Sequence, residues 1–408
     1  MTAIVFNCQY NGLSIIQELG RNNVEVFALD SVRSVGTYSR YAKYRVCPDP
    51  LTSEGAFVDR MLEFGRSFKH RPVLFPTNDH WATAVSRHKQ ALSQYYLPCV
   101  ADWATMELLI RKQRFYEWAE HKDYPVPRSW KHSQLDYLVE DAFPVAAKPE
   151  YRRISGNDAA AEKLSQRLDQ MRLTVLRNRK ELDQFVALHT DLLEYFIFQE
   201  YIEGLSDCMF TVGVYANLQH EVLGLFSGRK VRGFPPDVGD CILGQAEEVP
   251  TSLKQIVKQM CRELKYHGIA EFEFKRDAVT GEFKLIEINP RSWSWVGITP
   301  ACGVSLPKIA YLDLTGDDTV QYTESTVETG TIKWIRILDD FLNCLYFNRR
   351  RGFPVWDMSP LQWWQTIRAN HLVVAEFAKD DLLPGFYSLY LTNKNLFSKL
   401  AHKLGLWK

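Results

Sequence analysis

The stretch that most restricts how this chain can fold is "AEFEFKRDAVTGEFKLIEINPR", residues 270 to 291. Two apolar runs, 270–277 and 282–289, flank "AVTG", the pattern of an antiparallel hairpin closed by a short glycine-containing loop. Side chains two apart on a strand share a face. Glu287 and Asn289 therefore project together, and Ile286 and Ile288 are expected on the opposite, packed face. Pairing Asp277 with Phe283 across a five-residue loop sets Glu273 opposite Glu287, and Glu271 opposite Asn289.

Opposed side chains in a sheet have Cβ atoms roughly 4.5–5.5 Å apart, and like charges there repel unless a cation lies between them. Oxygen-only ligands suit a hard ion, Mg²⁺ or Mn²⁺. Glu273, Glu287 and Asn289 are thus the candidate metal ligands. Pro290 cannot extend the ladder, and Arg291 behind it supplies a fixed cation. Because Mg²⁺ is usually completed by waters and substrate phosphates, an ion beside an arginine points to a nucleotide. A solvated acidic hairpin face is the plainer alternative.

Composition excludes several other classes. With 408 residues, 46% of them hydrophobic, there is room for roughly two to four domains with real cores. Lys+Arg and Asp+Glu are equal at 49 each, so nothing in the overall charge recommends a nucleic-acid partner. The eight cysteines are scattered without CxxC or zinc-type spacing, as expected of reduced thiols in a cytoplasmic protein. The start, "MTAIVFNCQYNGL", has no basic segment leading into an apolar core, and no apolar run approaches about 18 residues. Neither a signal peptide nor a membrane span is expected.

Residues 1–104 alternate apolar strands with helical stretches, the pattern of a parallel α/β sheet. The first turn, "NCQYNGLS", holds one glycine where a dinucleotide fingerprint needs three, and no Walker A sequence occurs. A single helix is expected after Asp102, its N-cap, running past Lys112 and Trp118. The middle of the chain reads as α+β: "FPVAAKPE" ends an apolar strand at Lys148, and "YFIFQEYIEG" and "FTVGVYA" are further strands. In "FSGRKVRGFPP", strand alternation puts Lys230 and Arg232 on one face and Arg229 on the other.

In their order and spacing these motifs resemble the ATP-grasp superfamily over residues 1 to about 315. The resemblance implies an α/β and α+β multidomain chain. A parallel pre-ATP-grasp domain would span 1–104, a linker helix and lid 105–200, and a large subdomain with the metal hairpin 201–315. It implies ATP and Mg²⁺ (or Mn²⁺), with Glu273, Glu287 and Asn289 on the metal and Arg291 facing the transferred phosphate. Lys112 and Lys148 would reach ATP phosphates. "FQEYIEG" would be the hinge, where Gln199, Glu200 and Ile202 border the adenine largely through backbone groups, and Asp207 the ribose contact. Lys230 and Arg232 are candidates for the γ-phosphate or the acceptor carboxylate. Where such lids carry a glycine-rich loop, this chain reads "EYRRISGNDAAAEK", leaving Arg152, Arg153, Ser155 and the backbone near Gly156 for that task.

The implied chemistry is amide formation through an acyl phosphate, from a small-molecule carboxylate and an amine. The pattern is most similar to carboxylate-amine ligases of the D-aspartate ligase type, which attach an amino acid to a cell-envelope precursor. A non-amine acceptor, or a nucleotide-binding regulator without catalysis, stays open. Residues 316–408 lie outside the resemblance, their role unassigned. From 331 on, 11 Lys/Arg face 6 Asp/Glu among many aromatics. In "NLFSKLAHKLGLW", Phe397, Leu400, Ala401 and Leu404 form one helical stripe. That stripe is expected either to dock on the core or to hold the protein at the inner face of an anionic membrane.

Overall fold

The structure, a computed structural model, describes residues 2–150, 159–171, 173–234, 239–347 and 357–403. The apolar run at the N-terminus becomes the strand Thr2–Phe6, between Glu25–Asp30 and Val73–Phe75 in a five-stranded parallel sheet. Ala42–Val46 and Leu97–Pro98 form its edges. Both faces are covered, as near-continuous apolar strands require. Ile15, Ile16 and Leu19 of the helix Tyr10–Arg21 pack with Ala3 and Val5. On the other face Phe57, Met61 and Trp81 pack with Ile4 and Phe6. In such sheets ligands bind beyond the carboxyl ends of the strands, here residues 7–9 and 76–78.

The largest sheet has eight strands. Its order is Phe283–Asn289, Gly268–Arg276, Met209–Ala216, Val222–Phe234, Asp240–Ala246, Ile332–Ile335 and His371–Val374, with Thr323–Glu324 pairing to Val222–Phe234 off this path. A third sheet of four strands, Ser129–Trp130, Phe196–Glu200, Val145–Pro149 and Thr174–Leu176, has its own small core around Val145, Leu182, Phe185 and Phe198.

One expectation is corrected. The helix after Asp102 is two helices, Trp103–Ile110 and Lys112–His121, broken at Arg111, whose φ of −93° and ψ of 88° are not helical. Asp102 stands at the N-cap of the first, as expected, but its side chain makes no cap hydrogen bond; the carboxylate takes the Lys89 ammonium at 2.6 Å instead. The break makes Lys112 the first residue of a helix whose Phe115, Tyr116 and Ala119 pack on Phe272 and Ile288 of the large sheet. The described part of residues 316–408, for which the sequence suggested no role, packs with the rest of the protein. Its strands extend the large sheet, and the helix Leu383–Lys403 returns to the N-terminal region, where Ser388 and Tyr10 of the helix Tyr10–Arg21 share a hydrogen bond of 2.8 Å.

Candidate active site

The hairpin presents its polar face in the anticipated pairing, but by a different route. Arg276, not Asp277, pairs with Phe283, and a bulge at Ile286 absorbs the offset, so that Glu273 faces Glu287 and Glu271 faces Asn289. The bulge rearranges the packed face as well. Leu285 and Ile288 are buried there, whereas Ile286, expected beside Ile288, is not. A bulged residue is left out of the ladder, and the Ile286 carbonyl instead accepts the Tyr116 hydroxyl.

Asn289 Nδ2 donates to Glu271 at 3.0 Å and to Glu273 at 3.4 Å, and Thr211 Oγ1 donates to the other Glu271 oxygen at 3.0 Å. Arg291 closes the cluster: Nη2 donates to Asn289 Oδ1 at 3.1 Å, Nη1 to the Ser292 carbonyl at 3.1 Å and Nε to Asp79 at 2.8 Å. Asp79 is the first residue of the helix Asp79–Arg87, whose N-cap Asn78 accepts from the Trp81 N–H. Arg291 thereby ties the hairpin to the carboxyl end of the parallel sheet. The segment behind it is pinned by close packing on glycines. A Cβ on Gly213 would lie 2.1 Å from the Trp293 ring, and one on Gly244 2.6 Å from Trp295.

The two lysines from separate elements converge on the same place. Lys112 Nζ is 3.2 Å from Glu287 Oε1. Lys148 Nζ donates to Tyr116 Oη at 3.2 Å and sits 5.2 Å from that ring's centre. Gln199, buried at the end of Phe196–Glu200, lies beside the same hydroxyl, which burial pushes well above its ordinary pKa. Ile202 is buried just beyond, and the Glu200 N–H donates to the Arg128 carbonyl at 2.9 Å. Asp207 is exposed in the turn Ser206–Cys208. Arg152, Arg153, Ser155 and Gly156 lie outside the described residues.

Lys230 and Arg232 do not share a face. The strand bulges at Val231, so Lys230 pairs with Gly244 and Arg232 with Leu243. Lys230 is buried and donates to the Gly239 carbonyl at 3.2 Å; burial opposes its charge, but Glu273 and Glu271 outweigh that and raise its pKa. Arg232 turns toward the C-terminal region, where Nε and Nη2 grip Asp340 at 2.8 and 2.7 Å and Nη1 donates to Thr366 at 2.8 Å. It is held away from the carboxylates, which corrects its expected place beside Lys230.

Tyr116, Thr211 and Asp79 went unmarked in the sequence, and Glu271 appeared there only as the residue facing Asn289. Glu271 had a signal in its spacing of two from Glu273. The other three are set by strand and helix neighbours far away in sequence, which no local pattern reveals.

The donor set fits a hard divalent cation completed by other ligands. Among the described residues no three His, Cys, Asp or Glu side chains are gathered to hold a metal by themselves. Mg²⁺ commonly takes one or two carboxylates from a protein and the rest from water and phosphate, and Glu273, Glu287 and Asn289 supply that share. Burial first, and the Glu273 charge second, push the Glu271 carboxyl upward. The cluster thus holds more negative charge than its surroundings readily tolerate, which a divalent ion would relieve.

No family model matches the chain. Over 270 residues it is 27% identical to a D-aspartate ligase of Enterococcus faecium, a match covering 62% of this chain and 62% of that protein. The chain therefore spans less than two thirds of that relative's length. Among solved structures it is similar to a biotin carboxylase from Campylobacter jejuni in complex with β-γ-ATP, with a TM-score of 0.57 at 12% identity, covering 79% of this chain and 73% of that one. An L-amino acid ligase from Bacillus licheniformis gives 0.54 at 17% identity, covering 79% and 77%. An N5-carboxyaminoimidazole ribonucleotide synthetase from Thermotoga maritima gives 0.53 at 15%, covering 80% and 78%. A parallel α/β domain, a small four-stranded sheet and a large, mostly antiparallel sheet, together with the likeness to these structures, show that this chain has the ATP-grasp fold.

Proposed function

We propose that this protein is an ATP-dependent carboxylate-amine ligase that forms an amide bond through an acyl phosphate. The observation that carries the reading is the convergence of Glu273, Glu287 and Asn289 with Lys112, Lys230 and Arg291 around one hairpin face. Held by Glu273, Glu287 and Asn289, Mg²⁺ would neutralise phosphate charge and orient the γ-phosphoryl group. Lys112 and Lys148 bind phosphate oxygens through charge-assisted hydrogen bonds, with Tyr116 holding Lys148 in place. Gln199, Glu200 and Ile202 border the adenine, and Asp207 the ribose.

Arg291 stabilises the charge on the phosphoryl group in transit, its plane set by Asn289 and Asp79. Lys230 steadies the substrate carboxylate. A carboxylate oxygen attacks the γ-phosphorus, the bond to the bridging oxygen breaks, and ADP leaves. The amine nitrogen then attacks the acyl carbon, phosphate departs with the bonding electron pair, and the nitrogen loses a proton to solvent.

The names of two similar proteins, a D-aspartate ligase and an L-amino acid ligase, favour an amino acid as the carboxylate substrate. As acceptor we propose an amine on a cell-envelope precursor, following the similarity to the D-aspartate ligase type. The test is ADP release from MgATP with D- and L-amino acids in turn, hydroxylamine serving as surrogate nucleophile. The expected product with the true substrate is a hydroxamate. ADP release without hydroxamate from any carboxylate would overturn the ligase reading.

A further inference from the structure

We propose that the helix Leu383–Lys403 seats the protein on an anionic membrane surface, through an apolar stripe that the fold leaves facing outward. A helix on a globular protein ordinarily buries its apolar side and exposes its polar one. This helix begins the other way round. Pro384, Gly385 and Ser388 face the protein, while Leu382, Leu383, Phe386, Leu389 and Tyr390 face solvent, with Leu383, Phe386 and Tyr390 at 58–61% exposure.

The orientation is built in. A Cβ on Gly385 would come within 2.2 Å of the Phe377 ring, so the helix lies too close there for any larger residue. Tyr387 stacks on Tyr38 with centroids 4.1 Å apart, and Ser388 meets Tyr10. These three contacts prevent the apolar side from rolling inward. In sequence, apolar residues recur at helical spacing beyond Tyr390, at Phe397, Leu400, Ala401 and Leu404, positions whose side chains lie outside the described ones.

Charge decides what covers the stripe. Residues 382–408 hold four lysines and no Asp or Glu, and Trp407 stands next to the last residue. The two acids just before the helix are already engaged: Asp380 by Arg21 and Tyr41, Asp381 by Gln17 and Ser39. Arg33, over the Tyr38 ring at 5.1 Å, and Arg40, which reaches the Asp380 carbonyl at 3.3 Å, border the start of the helix. An apolar face bordered by Arg33, Arg40 and the exposed Lys394, with Tyr387 and Tyr390 beside it, has the chemistry of an interfacial helix. A second copy of the chain would bring the same lysines together, whereas anionic headgroups neutralise them. No described helix is long and apolar enough to cross a membrane, so the contact is peripheral.

The test is co-sedimentation of the full chain with vesicles of phosphatidylcholine alone or mixed with phosphatidylglycerol. Binding is expected on the mixed vesicles, to fall as salt shortens the Debye length, and to drop at least about tenfold in Phe386→Ser with Leu389→Ser. Leu188→Ser, on an exposed site in the lid region, should leave it unchanged. No binding to mixed vesicles, equal binding to both compositions, or full binding by the Phe386→Ser, Leu389→Ser protein would each overturn the proposal. So would a concentration-dependent dimer in the parent that this double variant abolishes, since the stripe would then be a self-association surface. Thermal stability and ADP binding, measured alongside, should match the parent, separating loss of docking from loss of fold or of the nucleotide site.

Discussion

Two strands of the large sheet each carry a bulge, with opposite consequences. In Phe283–Asn289 the extra residue, Ile286, cancels an offset at the hairpin turn and brings Glu273 and Glu287 face to face. In Val222–Phe234 the extra residue, Val231, separates two cations that simple alternation would keep together, sending Lys230 toward the carboxylates and Arg232 toward Asp340. One inserted residue flips every side chain beyond it. Membership of a site thus depends on which side of a bulge a residue stands as much as on its chemistry.

The sharpest way to break the comparison is to remove each cation separately. Arg232→Met leaves Asp340 fully buried with two neutral side-chain donors among the described residues, Trp363 at 2.8 Å and the weak Cys344 thiol at 3.9 Å. Breaking a buried pair by deleting one partner costs about 3–5 kcal/mol, and urea unfolding should show a loss of that size. Lys230→Met should lower turnover and leave the unfolding midpoint nearly unchanged. A stable Arg232→Met protein, or an unfolded Lys230→Met one, would reverse the assignments on the two sides of Val231.

The hairpin side is tested by Glu287→Gln, which keeps shape and packing but removes the charge facing Lys112 and Glu273. Loss of several kcal/mol of transition-state stabilisation corresponds to a fall of about two to three decades in kcat, with the fold intact. Hydroxamate formed at the parental rate would remove these residues from the metal site. Lys148→Ala comes next. It deletes one charge-assisted contact worth about 1.5–3 kcal/mol, hence about 10- to 150-fold in ATP affinity. Calorimetric titration with ATP reads it directly, and affinity within twofold of the parent would count against Lys148.

Much of this was legible in the sequence because it is local. The parallel N-terminal sheet follows from alternating runs, the acidic face from spacing of two along each strand, and the Glu273–Glu287 pair from one hairpin. The pairing came out right although the turn was miscounted by one, since the bulge at Ile286 compensates. What stayed hidden is non-local. The partner that claims Arg232 sits 108 residues away, and the one that orients Arg291 sits 212 away. The break at Arg111 was equally invisible, because Arg and its neighbours are good helix formers and tertiary packing overrides them. The joining of residues 332–335 and 371–374 to the large sheet could not be read either, since short strands carry too little pattern to name their neighbours.

The last prediction turns the comparison on two arginine–aspartate pairs of similar length. Asp340 with Arg232 is sealed from solvent, at 0% and 2% side-chain exposure, whereas Asp79 with Arg291 is open, at 56% and 18%. An exposed pair adds little to stability, so Asp79→Asn should leave the unfolding midpoint almost unmoved while Asp340→Asn lowers it clearly. Function should run the other way. Asp79 takes Arg291 Nε beside the Nη2 that Asn289 holds, on one edge of the guanidinium, and loosening a group that orients a catalytic residue typically costs at least about tenfold. That loss should appear in kcat, with the KM for ATP near the parental value because Lys112 and Lys148 are untouched, and Asp79→Glu should recover part of it. A fall in stability with unchanged kcat would make Asp79 a structural clasp between the parallel sheet and the hairpin. Parental kcat in both Asp79 variants would mean that Asn289 and the Ser292 carbonyl suffice to aim Arg291.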